Sequence, residues 1–372
     1  MTERNRRDFL GTAALAGAGA VAACGGAEST ASDGAPGVVA RPRLTWRLAS
    51  SFPRGLDTIF GASEVFANRV ESLTEGRFRV RAYPAGELVP ALGVLDAVQQ
   101  GTIEFGHSAT YYYTGKNPAL AFDTAMPFGL MARQQNAWLY HGGGLELMRE
   151  VFADFDIVNF PCGNTGCQMG GWFRREVNTL AELRGIKMRI PGLGAEVLSR
   201  LGVTVQTIPG GEIYPALERG VVDAAEWIGP YDDLKLGFHR VAKNYYYPGW
   251  WEPGPTLSLY VNRTAWDSLP SEYQAIVAAA AAETNIDMTA RYDAQNPGAM
   301  RTLVEEGVTL RPFSDEIMTG CRDTAFELMN ENAAAEAGYR KIFESWDEAR
   351  QSAFRWFSTA EQTYARFSFG RG

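Results

Sequence analysis

Leu95-Asp96-Ala97-Val98-Gln99-Gln100-Gly101-Thr102-Ile103-Glu104 and Tyr214-Pro215-Ala216-Leu217-Glu218-Arg219-Gly220-Val221-Val222-Asp223 line up residue for residue. Each reads as a helix ending on a C-cap glycine, then a short strand that opens on an acidic residue. One copy falls in each half of the chain, which predicts two lobes built on a common plan. Gly101 leads to His107-Ser108-Ala109 and Gly220 leads to Glu226-Trp227, so both strand ends should face one interlobe cleft.

The surrounding chain keeps the same rhythm. Leu44 to Ser50 alternates apolar and polar residues as a strand, and Ser51-Phe52-Pro53 turns out of it. A helix with Val65, Phe66, Val70 and Leu73 on one face follows, then a second strand from Phe78 to Tyr83. This βαβ order predicts an α/β sheet in each half. Thr256 to Asn262 reads as a strand crossing back between the lobes, and a long helix is expected from about Ser271 to Asn296. From Ser314 the chain is helical and aromatic, with Tyr339, Phe343, Trp346, Phe354, Trp356, Phe357, Tyr364 and Phe367. Ser314-Asp315-Glu316 supplies its N-cap and acidic first turn. The predicted architecture is therefore α/β and two-lobed, with a long helix spanning the lobes. Residues 43–165 form the first lobe, completed by roughly 257–313, residues 166–256 the second, and 314–372 a C-terminal tail.

The N-terminus decides the compartment. Arg4, Arg6 and Arg7 precede Phe9-Leu10 and the small apolar run Gly11 to Ala23, too short and too rich in Gly and Ala for a membrane span. Arg6-Arg7 with Phe9-Leu10 resembles a twin-arginine export signal. Val21-Ala22-Ala23-Cys24 resembles a lipobox, which makes 1–24 a lipoprotein signal with Cys24 acylated, and 25–42 a flexible tether. The remaining roughly 330 residues are enough for two α/β lobes working outside the cytoplasm.

Against 35 Lys and Arg stand 43 Asp and Glu, a net charge of −8 with no basic patch, so nucleic acid is not an expected partner. His107, His141 and His239 are scattered, and no metal-hydrolase, nucleophile-elbow or phosphate-cradling motif appears, so no catalytic reading is favoured. Cys162 and Cys167 could bridge in an oxidising compartment, but their short loop disfavours disulfide geometry, and both states stay open. Cys321 reads as a small buried apolar residue.

Arg189 is the strongest single site candidate. In Gly185-Ile186-Lys187-Met188-Arg189-Ile190-Pro191-Gly192, residues 186, 188 and 190 alternate onto the core face. Arg189 then stands at a strand's carboxyl end before a Pro-Gly turn, where α/β sheets present groups to ligands. A guanidinium there can fork onto a carboxylate. Glu226 and Glu252 each stand beside tryptophan, in Glu226-Trp227 and Trp250-Trp251-Glu252. Carboxylates lodged among indoles are unfavourable unless paired. Two of them and an incoming carboxylate, against one arginine, leave an excess of negative charge that a hard cation with oxygen ligands resolves. A salt bridge across the interlobe seam is the plainer alternative for either glutamate. Tyr112, Phe128, Trp227 and Trp251 are candidates for the pocket walls, and Gly170 and Gly171 for close backbone approach.

Several stretches together resemble one family. They include Tyr111-Tyr112-Tyr113-Thr114-Gly115-Lys116, Met126-Pro127-Phe128-Gly129-Leu130, Gln168-Met169-Gly170-Gly171-Trp172-Phe173, Ala225-Glu226-Trp227-Ile228-Gly229-Pro230 and Gly249-Trp250-Trp251-Glu252-Pro253-Gly254. These resemble the periplasmic solute-binding subunits of TRAP (tripartite ATP-independent periplasmic) transporters, specifically the branch binding 2-oxo acids such as pyruvate, or lactate, with a metal cation. The resemblance implies a type II-like periplasmic binding fold and a non-enzymatic receptor that delivers a small organic acid to membrane permease subunits. It implies that Arg189 binds the acid's carboxylate and that Gln168 touches both ligand and cation. It further implies that Glu226, Glu252 and the carbonyl of Trp227 complete the coordination of Na⁺ or Ca²⁺, and that the C-terminal helix supports a homodimer. Cys167 departs from the aliphatic residue expected there. A ligand-sensing lipoprotein, or a TRAP receptor for another carboxylate, would carry the same pocket.

Overall fold

The computed structural model describes residues 41–370; the expected signal with Cys24 and most of the expected tether lie outside them. In chain order the strands are β1 (Leu44–Ser50), β2 (Phe78–Tyr83), β3 (Phe105–Ser108), β4 (Ile157–Asn164) and β5 (Gly171–Phe173). β6 (Lys187–Arg189), β7 (Thr204–Gln206), β8 (Ala224–Ala225), β9 (Asn244–Tyr247), β10 (Thr256–Asn262) and β11 (Thr309–Pro312) follow. They form two mixed sheets, ordered β2-β1-β3-β10-β4 and β11-β9-β5-β8-β6-β7.

The first sheet is covered on both faces. Leu259 and Val261 of β10 pack with Phe78, Phe105 and Val277, whereas Tyr260 between them packs with Val94 and Val98. That is the two-residue alternation of a strand buried on both sides. The helix Gly61–Leu73 buries Phe66 and Val70 as expected. Val65 is only half-buried and Leu73 is exposed, because the buried stripe runs instead through Ala62, Phe66, Ala67 and Val70.

The two similar segments fold alike. Helices Val94–Gln99 and Gly210–Glu218 each close on a left-handed glycine, Gly101 at φ 67° and Gly220 at φ 70°. The next amide in each bonds back five residues, Thr102 N–H to Ala97 O and Val221 N–H to Ala216 O, both 2.9 Å. β3 then enters the first sheet parallel to β1, and β8 enters the second parallel to β6.

The chain passes from β4 in the first sheet to β5 in the second, and returns between β9 and β10. A third link is the helix Ser271–Glu305, 35 residues and about 52 Å long. Tyr273, Val277 and Ala281 pack under the first sheet, while Tyr292 and Leu303 pack with Trp172 and Tyr245 of the second. The expected stop at Asn296 is not seen: the helix continues through Pro297, with Ala299 and Leu303 buried in its last turns. Burial there outweighs the roughly 3 kcal/mol that an interior proline costs. β11 pairs parallel with β9, so the stretch expected to complete the first lobe ends in the second lobe's sheet.

Ser314 caps the next helix, Asp315–Ala335, by accepting from Ile317 N–H. That helix lies on the second lobe through Gly320 against Leu180 and Arg200 with Glu331. The following helix, Ala337–Phe357, crosses to the first lobe, where Tyr339 and Trp346 pack around Phe122. Beyond it the aromatic run emerges: Trp356 is 63 %, Tyr364 70 % and Phe369 80 % exposed. A groove of ≈ 420 Å³ opens there between Met131, Gln134, Phe354 and Phe357. Cys162, Cys167 and Cys321 are free thiols, Cys162 and Cys321 buried, so the Cys162–Cys167 bridge is absent. No described helix is long and apolar enough to cross a membrane.

Candidate functional site

Ile186, Met188 and Ile190 sink into the core, and Arg189 between them turns into the seam between the lobes, where it is 1 % exposed. The protein uses two of its three guanidinium nitrogens. Nε donates to Ile208 O (2.9 Å); Nη1 donates to Glu226 O (3.1 Å) and to the Glu226 carboxylate. Nη2, buried, has no hydrogen-bond partner among the described residues. The expected two-nitrogen fork onto a ligand is thereby reduced to one open nitrogen, because Glu226 occupies the other. The guanidinium also lies 5.2 Å from the Trp227 ring, a cation–π contact.

Glu226 follows the short strand β8, and the connection from β4 to β5 bonds both to its segment, through Met169 N–H to Ile228 O (3.0 Å), and to the Glu252 segment. Both glutamates are buried. Burial raises the Glu226 carboxyl from its ordinary 4.5 to about 7, with Arg189 opposing and Asp233 adding to the rise. Glu252 is likewise driven well above the ordinary carboxylate range, by burial and then by the charge of Glu226. Tyr111 donates to Glu252 Oε2 at 3.3 Å, and the Gln168 backbone N–H donates to Glu252 O at 3.2 Å. Gln168 does not lie on β5, as its sequence context suggested. It sits in the connection from β4, because β5 pairs only through Gly171, Trp172 and Phe173.

Gln168, Arg189, Trp227 and Tyr112 meet around one cavity, together with Phe52 and Tyr111; Glu226, Glu252, Trp251 and Phe128 do not line it. Its volume is ≈ 10 Å³, scarcely room for one water. Burial pushes the Tyr112 hydroxyl up to about 12, beside Arg189 and the two glutamates. Trp251 is packed under Gly194 and points its indole N–H toward the Glu226 carboxylate. Phe128 is elsewhere: its ring stacks on Trp250, 5.2 Å away and 14° from parallel. Gly170 and Gly171 make room for protein instead of ligand. A Cβ on Gly171 (φ 85°) would stand 2.7 Å from Ala225 O and 3.1 Å from Glu226 Cα, so this glycine lets β5 close on the Glu226 segment.

Sequence reading missed Tyr111 as a partner of Glu252 and missed the pair Asp232-Asp233. Acidic residues opening the helix Pro230–Leu236 read as complements to a helix dipole, yet both are fully buried. Asp233 accepts from Tyr245 OH (2.6 Å) and Trp172 Nε1 (2.8 Å), and Asp232 from Tyr292 OH (2.9 Å) and Trp227 Nε1 (3.4 Å). They hold the 226–228 segment from behind. Burial raises Asp232 to about 7 and Asp233 to about 6.

The donor set suits a hard cation. Glu226 Oε2 and Gln168 Oε1 are buried acceptors with no partner among the described residues, beside a second buried carboxylate. All of these are oxygens, the ligand type of Na⁺ and Ca²⁺. No described cluster of three or more His, Cys, Asp and Glu side chains competes as a metal centre.

Two α/β lobes meet at a small cavity lined by one arginine and by Gln168, whose Oε1 is unpartnered, with the buried Glu226 carboxylate held on that arginine, the plan of a solute receptor. The chain belongs to the bacterial extracellular solute-binding proteins of family 7 (DctP), whose family model matches residues 50–336. It is thus an extracytoplasmic TRAP-type solute-binding protein and not an enzyme. It is 50% identical over 364 residues, 98% of each chain, to the monocarboxylate 2-oxoacid-binding periplasmic protein of Nostoc sp.. A TRAP solute-binding protein of Bordetella bronchiseptica, a mixed-occupancy dimer with copurified calcium and picolinate, superposes with a TM-score of 0.88. That pair shares 46% identity, with 89% of this chain and 98% of that one covered. A TRAP protein of Pseudoalteromonas atlantica with bound sodium and pyruvate superposes at 0.84, with 42% identity and coverage of 87% and 99%.

Proposed function

We propose that this protein captures a small 2-oxo or 2-hydroxy monocarboxylate, pyruvate or lactate in type, together with Na⁺ or Ca²⁺, and delivers it to a TRAP membrane permease. The observation that carries the reading is three unpartnered buried atoms: Arg189 Nη2 and Gln168 Oε1 on residues that line one cavity, and Glu226 Oε2 on the carboxylate that Arg189 holds. The first is a donor for a carboxylate, and the other two are acceptors for a cation. A 2-oxo acid bridges both, since its carboxylate and adjacent oxygen chelate a metal in a five-membered ring. Picolinate, bound in the Bordetella relative, offers the same carboxylate-plus-neighbour donor pair. Arg189 is the one basic side chain lining the cavity, which favours one carboxylate over two. In this reading Glu226, Glu252, Gln168 and the Trp227 carbonyl hold the cation, while Arg189, Gln168, Trp227 and Tyr112 contact the acid and Trp251 backs Glu226.

Calorimetric titration of pyruvate, lactate and succinate into the mature protein tests this, with and without sodium or calcium. Tight pyruvate or lactate binding that needs the cation supports the reading. Preference for succinate, or for no acid, overturns it. The same protein serving a ligand sensor instead of a permease would bind identically, and transport assays with the permease subunits separate the two roles.

Export by the twin-arginine signal and anchoring through acylated Cys24 belong to the same proposal. Membrane release of a Cys24→Ser variant would support the anchor. The exposed aromatic run after Phe354 supports a homodimer, in line with the dimer of the Bordetella relative.

A further inference from the structure

Phe128 is held in the left-handed region at φ 55°. A bulky side chain avoids that conformation unless its surroundings impose it. Two neighbours do so from opposite sides. Its N–H donates to Trp250 O at 2.7 Å while its ring stacks on the Trp250 indole, which ties it to the loop carrying Glu252. Its carbonyl accepts from Arg350 Nε at 2.9 Å, which ties it to the helix Ala337–Phe357. Arg350 is fixed in turn by Asp347 (3.2 Å) and by the rings of Phe326 and Phe354, 4.6 and 4.7 Å from its guanidinium carbon.

The segment around Phe128 is packed against both neighbours without slack. A Cβ on Gly129 would stand 2.8 Å from Trp346 on the helix, and one on Gly254 would stand 2.8 Å from Met131 Cα. From Trp250 the path to the site is short. Glu252 N–H bonds Gly249 O (3.1 Å), Gly249 N–H bonds Gln168 O (2.9 Å), and Gln168 N–H bonds Glu252 O (3.2 Å). Residues 249–252 and Gln168 thus form one hydrogen-bonded unit, and Phe128 is its contact with the C-terminal helix.

We infer that Arg350 is a positioning residue for the cation and acid site. By bracing Phe128 against Trp250, it sets the position of Glu252 and Gln168, so the C-terminal helix and the site are coupled. The consequence for affinity rests on the ligand reading above; the mechanical tie does not.

Hydrogen exchange reads the tie directly. In the full-length protein, Arg350→Ala should speed exchange of the amides of Phe128, Gly249, Glu252 and Gln168. Lys341→Ala, on the same helix as Arg350, removes only a surface pair with Glu150 of the helix Gly144–Ala153 and should leave them unchanged. Calorimetry reads the consequence: with calcium saturating, Arg350→Ala should weaken pyruvate binding about fivefold or more. Arg350→Lys, which can still donate to the Phe128 carbonyl, should restore most of the affinity. Phe128→Gly accepts the positive φ but loses the stack, and should weaken binding to a similar degree. Adding Arg350→Ala to it should then cost little more. Unchanged exchange at 249–252 in Arg350→Ala would overturn the inference, as would equal effects from Lys341→Ala. If Arg350→Ala does not fold, wild-type exchange and affinity in Phe128→Gly would overturn it instead. Altered exchange in a protein whose wild type binds no pyruvate would leave the tie standing and refute only the ligand reading.

Discussion

Arg189 grips Glu226 twice, through the main-chain carbonyl and through the carboxylate, and keeps one nitrogen open. The arginine therefore serves as a bracket between the Ile208 carbonyl, the Glu226 segment and the cavity. Its charge also offsets only one of two buried carboxylates, and the second requires a further positive charge before both can ionise.

Replacing Arg189 follows from that geometry. Arg189→Ala should lose about 2–4 kcal/mol of acid binding, the range for removing one side of a buried charged pair. Arg189→Lys should fall close to it. One ammonium cannot span Ile208 O, Glu226 and a ligand in the directions that three planar nitrogens reach. Calorimetry at saturating cation checks both, and wild-type affinity in the lysine variant would place the carboxylate elsewhere.

Cation and acid should bind interdependently. Glu252→Gln keeps the shape of the side chain and removes a charge, so it should weaken calcium or sodium and pyruvate together. The coupling is reciprocal: each ligand should tighten the other by one common factor. Titration of pyruvate into metal-stripped protein in sodium-free, calcium-free buffer measures it. Full acid affinity there would show Glu226 and Glu252 to be structural.

How much of this was readable from sequence depends on the range of the interactions. Gly101 and Gly220 announced matching strand ends through local backbone chemistry, and Arg189 was visible from the alternation of Ile186, Met188 and Ile190. Local patterns could not show that Phe128 turns to Trp250, away from the cavity, or that Asp232 and Asp233 are buried. Those outcomes are set by residues far along the chain, Arg350 for the first and Tyr292 and Tyr245 for the second. Pro297 shows the same conflict from the other side: a strong local stop is overridden by burial of Ala299 and Leu303. Gln168 was recognisable only through the family resemblance, since a lone glutamine carries no local signal.

The buried carboxylates give the empty protein an inverted pH response. Glu226 is raised to about 7, Glu252 well above the ordinary carboxylate range, and Asp232 and Asp233 to about 7 and about 6. Between the ordinary carboxylate range and about 7, the folded state holds protons that the unfolded chain has released. Unfolding free energy therefore falls as pH rises through that window, and the stabilisation is fully present only below it. The Tm of metal-free protein should be higher at about pH 5.5 than at about pH 8. Calcium must displace the protons held by Glu226 and Glu252, so its affinity should weaken as pH falls below about 7. Calorimetry in two buffers of different ionisation enthalpy counts the protons released, and a count of zero would refute the assignment.

The tail divides into a structural part and an exposed part, which fixes where a truncation is informative. Ile317, Cys321, Leu328, Tyr339 and Trp346 are buried in the main core, so a cut after Phe313 would strip that core and should leave insoluble protein. Removing 358–372 takes away Tyr364, Phe367 and Phe369, all at least 60 % exposed, and leaves the helix that carries Trp346 and Arg350 in place. Its described polar loss on the body is modest, chiefly the Arg133–Glu361 pair at 2.8 Å on the surface. Such exposed pairs contribute at most about 1 kcal/mol. The shortened chain should therefore fold, with a thermal transition close to that of the full-length protein. If the aromatic run is a contact between two copies, light scattering at micromolar concentration should show a dimer for the full chain and a monomer for the shortened one. A full-length monomer would refute the interface, and a dimer that survives the cut would move it to another face.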